Sequence, residues 1–201
     1  VAIWMSRRAY GKWQLPAKVA GQEGVPHWNP VLFQGQDGTL FLFHKTGHKI
    51  KDWQTMVIAS KDGGYTWTKS ETLAEDVGGR GPVKNKPIIL VDGTWLAPAS
   101  IENDEWNAFV DISYDQGGTW AKSEMVPLRR LPSEDAQSSS TKITLPGDLV
   151  KGKGVIQPTL WESKPGSVHM LLRSTEGHIY RSDSQNGGRT WCTAYPSGLP
   201  N

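Results

Sequence analysis

An all-β fold of repeated four-stranded antiparallel units is what this sequence predicts, on three observations. A serine is followed seven residues later by a tryptophan four times, at Ser6/Trp13, Ser60/Trp67, Ser113/Trp120 and Ser184/Trp191. Each pair is flanked by alternating or apolar runs of strand length. Almost nothing in the 201 residues has a helical period.

The motif has a local physical logic. Its clearest copies are Ser60-Lys-Asp62-Gly-Gly64-Tyr-Thr66-Trp67 and Ser113-Tyr-Asp115-Gln-Gly117-Gly-Thr119-Trp120. A third copy, Ser184 to Trp191, has Asn186 in place of the aspartate, and the fourth, Ser6 to Trp13, has Arg8 and Tyr10 where aspartate and glycine stand elsewhere. The aspartate can gather backbone N–H groups into an Asx-type turn. The glycine supplies a positive φ, and the tryptophan opens the next strand with a large apolar plate. These carboxylates are architectural, so Asp62 and Asp115 are not read as acids.

The strands follow from the repeats. Third strands are predicted at 1–6, 53–60, 106–113 and 177–184, and outer strands start at Trp13, Trp67, Trp120 and Trp191. Two further strands precede each of the last three units, joined by D-G or P-G turns: 29–33 with 39–44, 85–91 with 94–99, and 156–161 with 167–172. Four strands per unit at a period of roughly 40–50 residues is the pattern of a β-propeller. The count predicts one domain over 1–201, incomplete at both ends: about three and a half blades of a larger, six-bladed ring. The last interval between boxes is the longest, and its excess predicts an extended inter-blade loop at 128–153.

Composition narrows the function classes. Twenty-two Lys and Arg against 20 Asp and Glu give a formal net charge of +2, which argues against a dedicated nucleic-acid surface. No run approaches the roughly 20 apolar residues of a membrane span. Cys192 is the single cysteine, which excludes an intrachain disulfide, and its place after Trp191 predicts a small core residue. The five histidines are scattered without a metal-ligand spacing, no phosphate-cradling glycine loop precedes a helix, and no cofactor is expected.

The motifs resemble the Asp-box (bacterial neuraminidase repeat) of the sialidase-like β-propellers, and the resemblance covers essentially the whole chain. In such propellers the site lies at the channel mouth, opposite the Asp-box turns. Aligning the three complete units on that face gives Asn29-Pro, Lys86-Pro and Gln157-Pro at the start of the inner strands, and Lys45, Ser100 and Arg173 at the end of the second strands. Trp53 and Trp106 stand seven residues before Ser60 and Ser113. With Arg80 and Lys84 these would make a mouth rich in cations and amides, suited to a carboxylated sugar, with tryptophans as a stacking wall. Each strand end alone is polar simply because it meets water; the set points to a site.

The resemblance implies a triad of arginines gripping a carboxylate, a tyrosine nucleophile activated by a glutamate, and an aspartate acid/base on a loop. Leu171-Leu-Arg173-Ser174 resembles the segment of the second triad arginine, so Arg173 is the principal substrate-binding candidate. The acid/base loop corresponds to Thr46-Gly-His48-Lys-Ile-Lys-Asp52, offering Asp52 or His48. Where the activating glutamate is expected the chain has Gln157, and Glu102 is the nearby substitute. The other two arginines and the tyrosine fall outside the regions present. The resemblance favours a secreted or periplasmic setting.

Three readings follow. The first is an exo-glycosidase releasing a terminal acidic sugar such as sialic acid. The second is a lyase or glycosidase acting on another acidic polysaccharide, favoured by the glutamine. The third is a non-catalytic propeller that binds glycan or protein. In each, the rest of the ring or a partner chain is needed for closure.

Overall fold

The computed structural model describes residues 1–75, 79–130 and 149–201. Four short strands come first: β1 (Ile3–Met5), β2 (Arg8–Ala9), β3 (Lys12–Trp13) and β4 (Ala17–Ala20). β1 pairs with β4, and β2 with β3, both antiparallel. Three four-stranded antiparallel sheets follow, each with its strands in chain order. The first holds β5 (His27–Gln34), β6 (Leu40–Thr46), β7 (Gln54–Ser60) and β8 (Glu71–Thr72). The second holds β9 (Ile88–Ile89), β10 (Trp95–Glu102), β11 (Trp106–Ser113) and β12 (Ala121–Lys122). The third holds β13 (Val155–Lys164), β14 (Ser167–Ser174), β15 (His178–Ser184) and β16 (Tyr195–Pro200).

Side-chain alternation explains how these sheets stack. Along β14, Val168, Met170 and Leu172 are buried on one face while Ser167, His169 and Leu171 are half-buried on the other. The buried row meets Leu96, Ala108, Val110 and Ile112 of the second sheet in the largest apolar cluster. On its other side the second sheet presents Trp95, which packs with Val31, Phe33 and Phe43 of the first sheet. β10 therefore has no water-facing side over Trp95–Ser100, which is why it reads as an almost unbroken apolar run. Ile3, Leu42 and Ile58 form a third cluster between β1 and the first sheet.

Three of the four Ser-to-Trp segments form the expected turn. Ser60 Oγ accepts from Gly64 N at 2.8 Å and donates to Asp62 Oδ1 at 2.7 Å, and Asp62 accepts from the N–H groups of Tyr65 and Thr66. Ser113/Asp115 and Ser184/Asn186 repeat this geometry. The first segment differs. With arginine at position 8 there is no acceptor to gather the amides, and β2–β3 instead form a hairpin over Tyr10-Gly11, both at positive φ. Trp13 is left 70% exposed.

Other expectations need correction. The outer strands begin after the tryptophans, at Ala17, Glu71, Ala121 and Tyr195, because the box tryptophans other than Trp13 turn inward to pack. The inner strand expected over 85–91 shrinks to Ile88–Ile89: Lys84 takes φ 61° and Pro87 has no N–H to give a ladder. Cys192 is exposed, since Trp191 occupies the inward side and the next residue must face out. Of the loop expected at 128–153, residues 131–148 lie outside the described residues. At its described ends Val150 N donates to Arg129 O at 2.9 Å, and Val150 joins the main core.

Candidate functional site

The end of the sheets opposite the Asp-box turns gathers the second-strand ends, the third-strand starts and the entries to the inner strands. Between the second and third sheets it brings five of the expected residues together. Gln157 Nε2 donates to Glu102 Oε1 at 3.2 Å, and Ser100 Oγ donates to the same oxygen at 3.4 Å. Trp106 is the register partner of Glu102 across β10–β11, and the Arg173 guanidinium lies over the Trp106 ring, 6.0 Å from its centroid. Arg173 is exposed, with its neighbour Ile156 in register on β13. The result is an arginine held over an indole beside a carboxylate–amide pair, all at one sheet end.

Backbone strain marks the same end. Asn29 and Gln157 occupy equivalent places before a proline, and both have positive φ, 46° and 55°. Each coincides with a register shift in its inner strand. The bulge turns the polar side chain away from the ladder direction. Non-glycine residues in this region cost of order 1 kcal/mol, and such outliers cluster where a site over-determines the backbone. Asn85, beside the expected Lys86 and absent from the sequence-based candidates, clamps the second bulge: its Nδ2 donates to Gln157 O at 2.9 Å and Pro158 O at 3.0 Å. Aligning on the prolines selects Lys86 and leaves no signal for Asn85. Lys86 itself is exposed, and Lys84 and Asn85 line a cleft with Gln157 and Arg173.

Two expected ligand cations are instead engaged inside the protein. Lys45 is 3% exposed, and its Nζ donates to Thr55 Oγ1 and Arg80 O, each at 2.6 Å. Burial pushes its ammonium down to about 8. Arg80 is buried too: Nε donates to Asp111 Oδ1 at 2.6 Å and Nη2 to Trp120 O at 2.9 Å. Both side chains lie on the face that the second sheet covers, a fact of packing that strand-end alignment does not contain.

A second cleft opens between the first and second sheets. Lys45, Ile50, Lys51, Trp53, Ser100 and Glu102 line it, so Glu102 faces both groups. The loop above it holds both acid/base candidates, and His48 and Asp52 are both exposed. A 3-10 turn over Ile50–Asp52 shapes this loop. Trp28, absent from the sequence-based candidates, stacks on Trp53 with ring centroids 5.9 Å apart.

A model of the BNR repeat-like domain matches residues 1–201. The chain belongs to the BNR repeat-like domain family. Its relatives include a sialidase from Clostridium perfringens, 34% identical over 41% of this chain and 25% of that protein. Among solved structures, a Hadza microbial sialidase superposes with a TM-score of 0.72 at 16% identity, covering 100% of this chain and 40% of that one. The NanB sialidase from Streptococcus pneumoniae gives 0.66 at 11% identity, covering 96% and 46%. At these identities the two structures speak for the fold alone. This BNR repeat-like chain spans less than half the length of each of the three. The Asp-box resemblance in the sequence is thus shown at the level of the superfamily, with a propeller-like, all-β fold.

Proposed function

We propose that this chain is part of a sialidase-like exo-glycosidase that releases a terminal acidic sugar, such as sialic acid, from glycans. The observation that carries the reading is Arg173 set over Trp106 beside the Glu102–Gln157 pair. A guanidinium pairs bidentately with a carboxylate, an indole offers an apolar wall, and an amide reads hydroxyls. Sialidases among the relatives and structural neighbours support the substrate class.

In this reading Arg173 grips the substrate carboxylate, with Lys86 and Asn29 on the rim. Glu102 takes the place of the glutamate that activates a tyrosine in sialidase-like enzymes, since Gln157 has no basic oxygen to do so. Asp52 or His48 delivers the proton to the departing oxygen. The three sheets are three blades of a six-bladed ring, and β1 with β4 is the outer half of a fourth. The remaining arginines and the tyrosine come from blades beyond these residues.

The test is turnover of a fluorogenic sialoside by the intact protein and two variants. Arg173→Ala and Glu102→Gln should each lower kcat/KM by about 100-fold, the scale of a lost charge-assisted contact. Rates equal to wild type would remove both residues from the site. Gln157 favours one alternative, a lyase acting on another acidic polysaccharide. An unsaturated sugar product with no sialoside turnover would establish that reading instead.

A further inference from the structure

We infer that Trp28 and Trp53 form a stacking platform for the pyranose ring adjoining the terminal acidic sugar, an inference that rests on the mouth being the sugar site proposed above. The two indoles lie nearly parallel, with an interplanar angle of 24°. Their pose is built into the backbone. Trp28 Nε1 donates to Gly47 O at 2.9 Å, and Gly47 N donates to Pro26 O at 3.2 Å. Gly47 has φ 133°, and a Cβ there would approach Asp52 O to 3.2 Å and Trp53 Cδ1 to 3.3 Å. The loop therefore closes tightly on the second indole. On its other side Trp53 N donates to Ile50 O at 3.2 Å, ending the 3-10 turn.

Core packing does not account for this pair. Tryptophans that serve the core, such as Trp95, are 1% exposed, whereas Trp28 keeps 36% of its surface in solvent. The Trp53 ring lines the cleft with Lys45, Ser100 and Glu102. An exposed indole face matches a pyranose, which has a flat C–H face. His48 and Asp52 belong to the same 46–52 loop. A ring on Trp28 would lie beside the loop that holds the proton-donor candidates, which Trp28 touches through Gly47 O. The platform binds the leaving-group sugar, and Arg173 binds the terminal acidic sugar.

The probe is lactose, a neutral disaccharide that makes no demand on Arg173. In an amide-and-indole NMR titration of the intact, isotope-labelled protein, the Nε1–H signals of Trp28 and Trp53 should shift and saturate. Trp28→Ala should weaken that titration about tenfold, the scale of one aromatic stack, and Trp28→Phe should weaken it less. Arg173→Ala should leave it unchanged. Unperturbed Trp28 and Trp53 signals in the wild-type protein, or shifts equal to those produced by glycerol, would overturn the platform. Lactose binding without sialoside turnover would defeat the proposed reaction and leave the platform standing. Turnover without lactose binding would do the reverse.

Discussion

His44 shows how strongly one residue's surroundings can set its chemistry. It lies on β6 with no exposed surface, its ring stacked on His27 at 5.2 Å, and neither of its nitrogens has a hydrogen-bond partner among the described residues. Burial pushes its pKa down from 6.5 to about 4, with the neighbouring His27 adding to the effect. The folded state therefore prefers neutral His44. Stability is fully present above about pH 6.5 and falls as pH drops toward 4, because the unfolded chain takes up the proton first. The loss across that window amounts to about 3 kcal/mol. Urea midpoints at pH 7 and pH 4.5 should show it, and His44→Leu should remove most of the slope. At this scale the sequence revealed residue types but not their exposure. Lys45 and Arg80 joined Arg173 among the cations expected at the mouth, and the sheet covering them sets them apart from it.

The Asp-box turn is the element whose geometry was most legible. Its hydrogen bonds are local, running from Ser113 and Asp115 to groups within four residues, so a sequence pattern contains all the partners. Bonds led by the backbone N–H of Thr119 hold the Asp115 carboxyl below its ordinary range. Asn186 performs the same task in the third copy, its Oδ1 accepting from Thr190 N at 3.0 Å and its Nδ2 donating to Thr190 Oγ1 at 2.9 Å. Asp115→Asn should therefore be close to neutral, while Asp115→Ala, which removes every acceptor, should lower Tm by about 2–4 °C. Differential scanning calorimetry of the two variants checks the order. Equal losses would mean that charge, not acceptor geometry, holds the turn. The first copy departs for the same local reason: Ser6 and Trp13 preserve the spacing, but Arg8 removes the acceptor, and the backbone forms the Tyr10-Gly11 hairpin instead.

Across the whole molecule, stability rests on sheet-to-sheet burial. Leu96 has no exposed surface, and it sits between Ile112 on its own sheet and the Gly188 turn of the next, where an added Cβ would meet Leu96 Cδ1 at 3.0 Å. Leu96→Ala should cost about 2–5 kcal/mol. Because both sheets share that cluster, circular dichroism and tryptophan fluorescence should report a single unfolding transition in denaturant. The repeats are not interchangeable in this respect. One residue before the box serine, the first and second sheets pair Ala59 with Phe41 and Ile112 with Leu96. The third pairs Asp183 with His169, and Asp183 also accepts from Arg181 at 2.9 Å and from the Tyr195 hydroxyl at 2.7 Å.

The resemblance to sialidase-like propellers pointed to the sheet end where Arg173, Glu102, Gln157 and Trp106 lie, and the sequence by itself determined the all-β class, the four-stranded repeat and three working Asp-box turns. These are properties of short-range spacing: period-two alternation fixes faces, and turn residues fix hairpins. The tertiary structure alone decided which polar side chains remain available. Whether Lys45 points at a ligand or at Thr55 and Arg80 depends on a second sheet closing over it, and whether Trp28 meets Trp53 depends on how Gly47 folds the loop. Those contacts join residues from separate elements, and nothing local to Lys45 or Trp28 in the sequence names the partner.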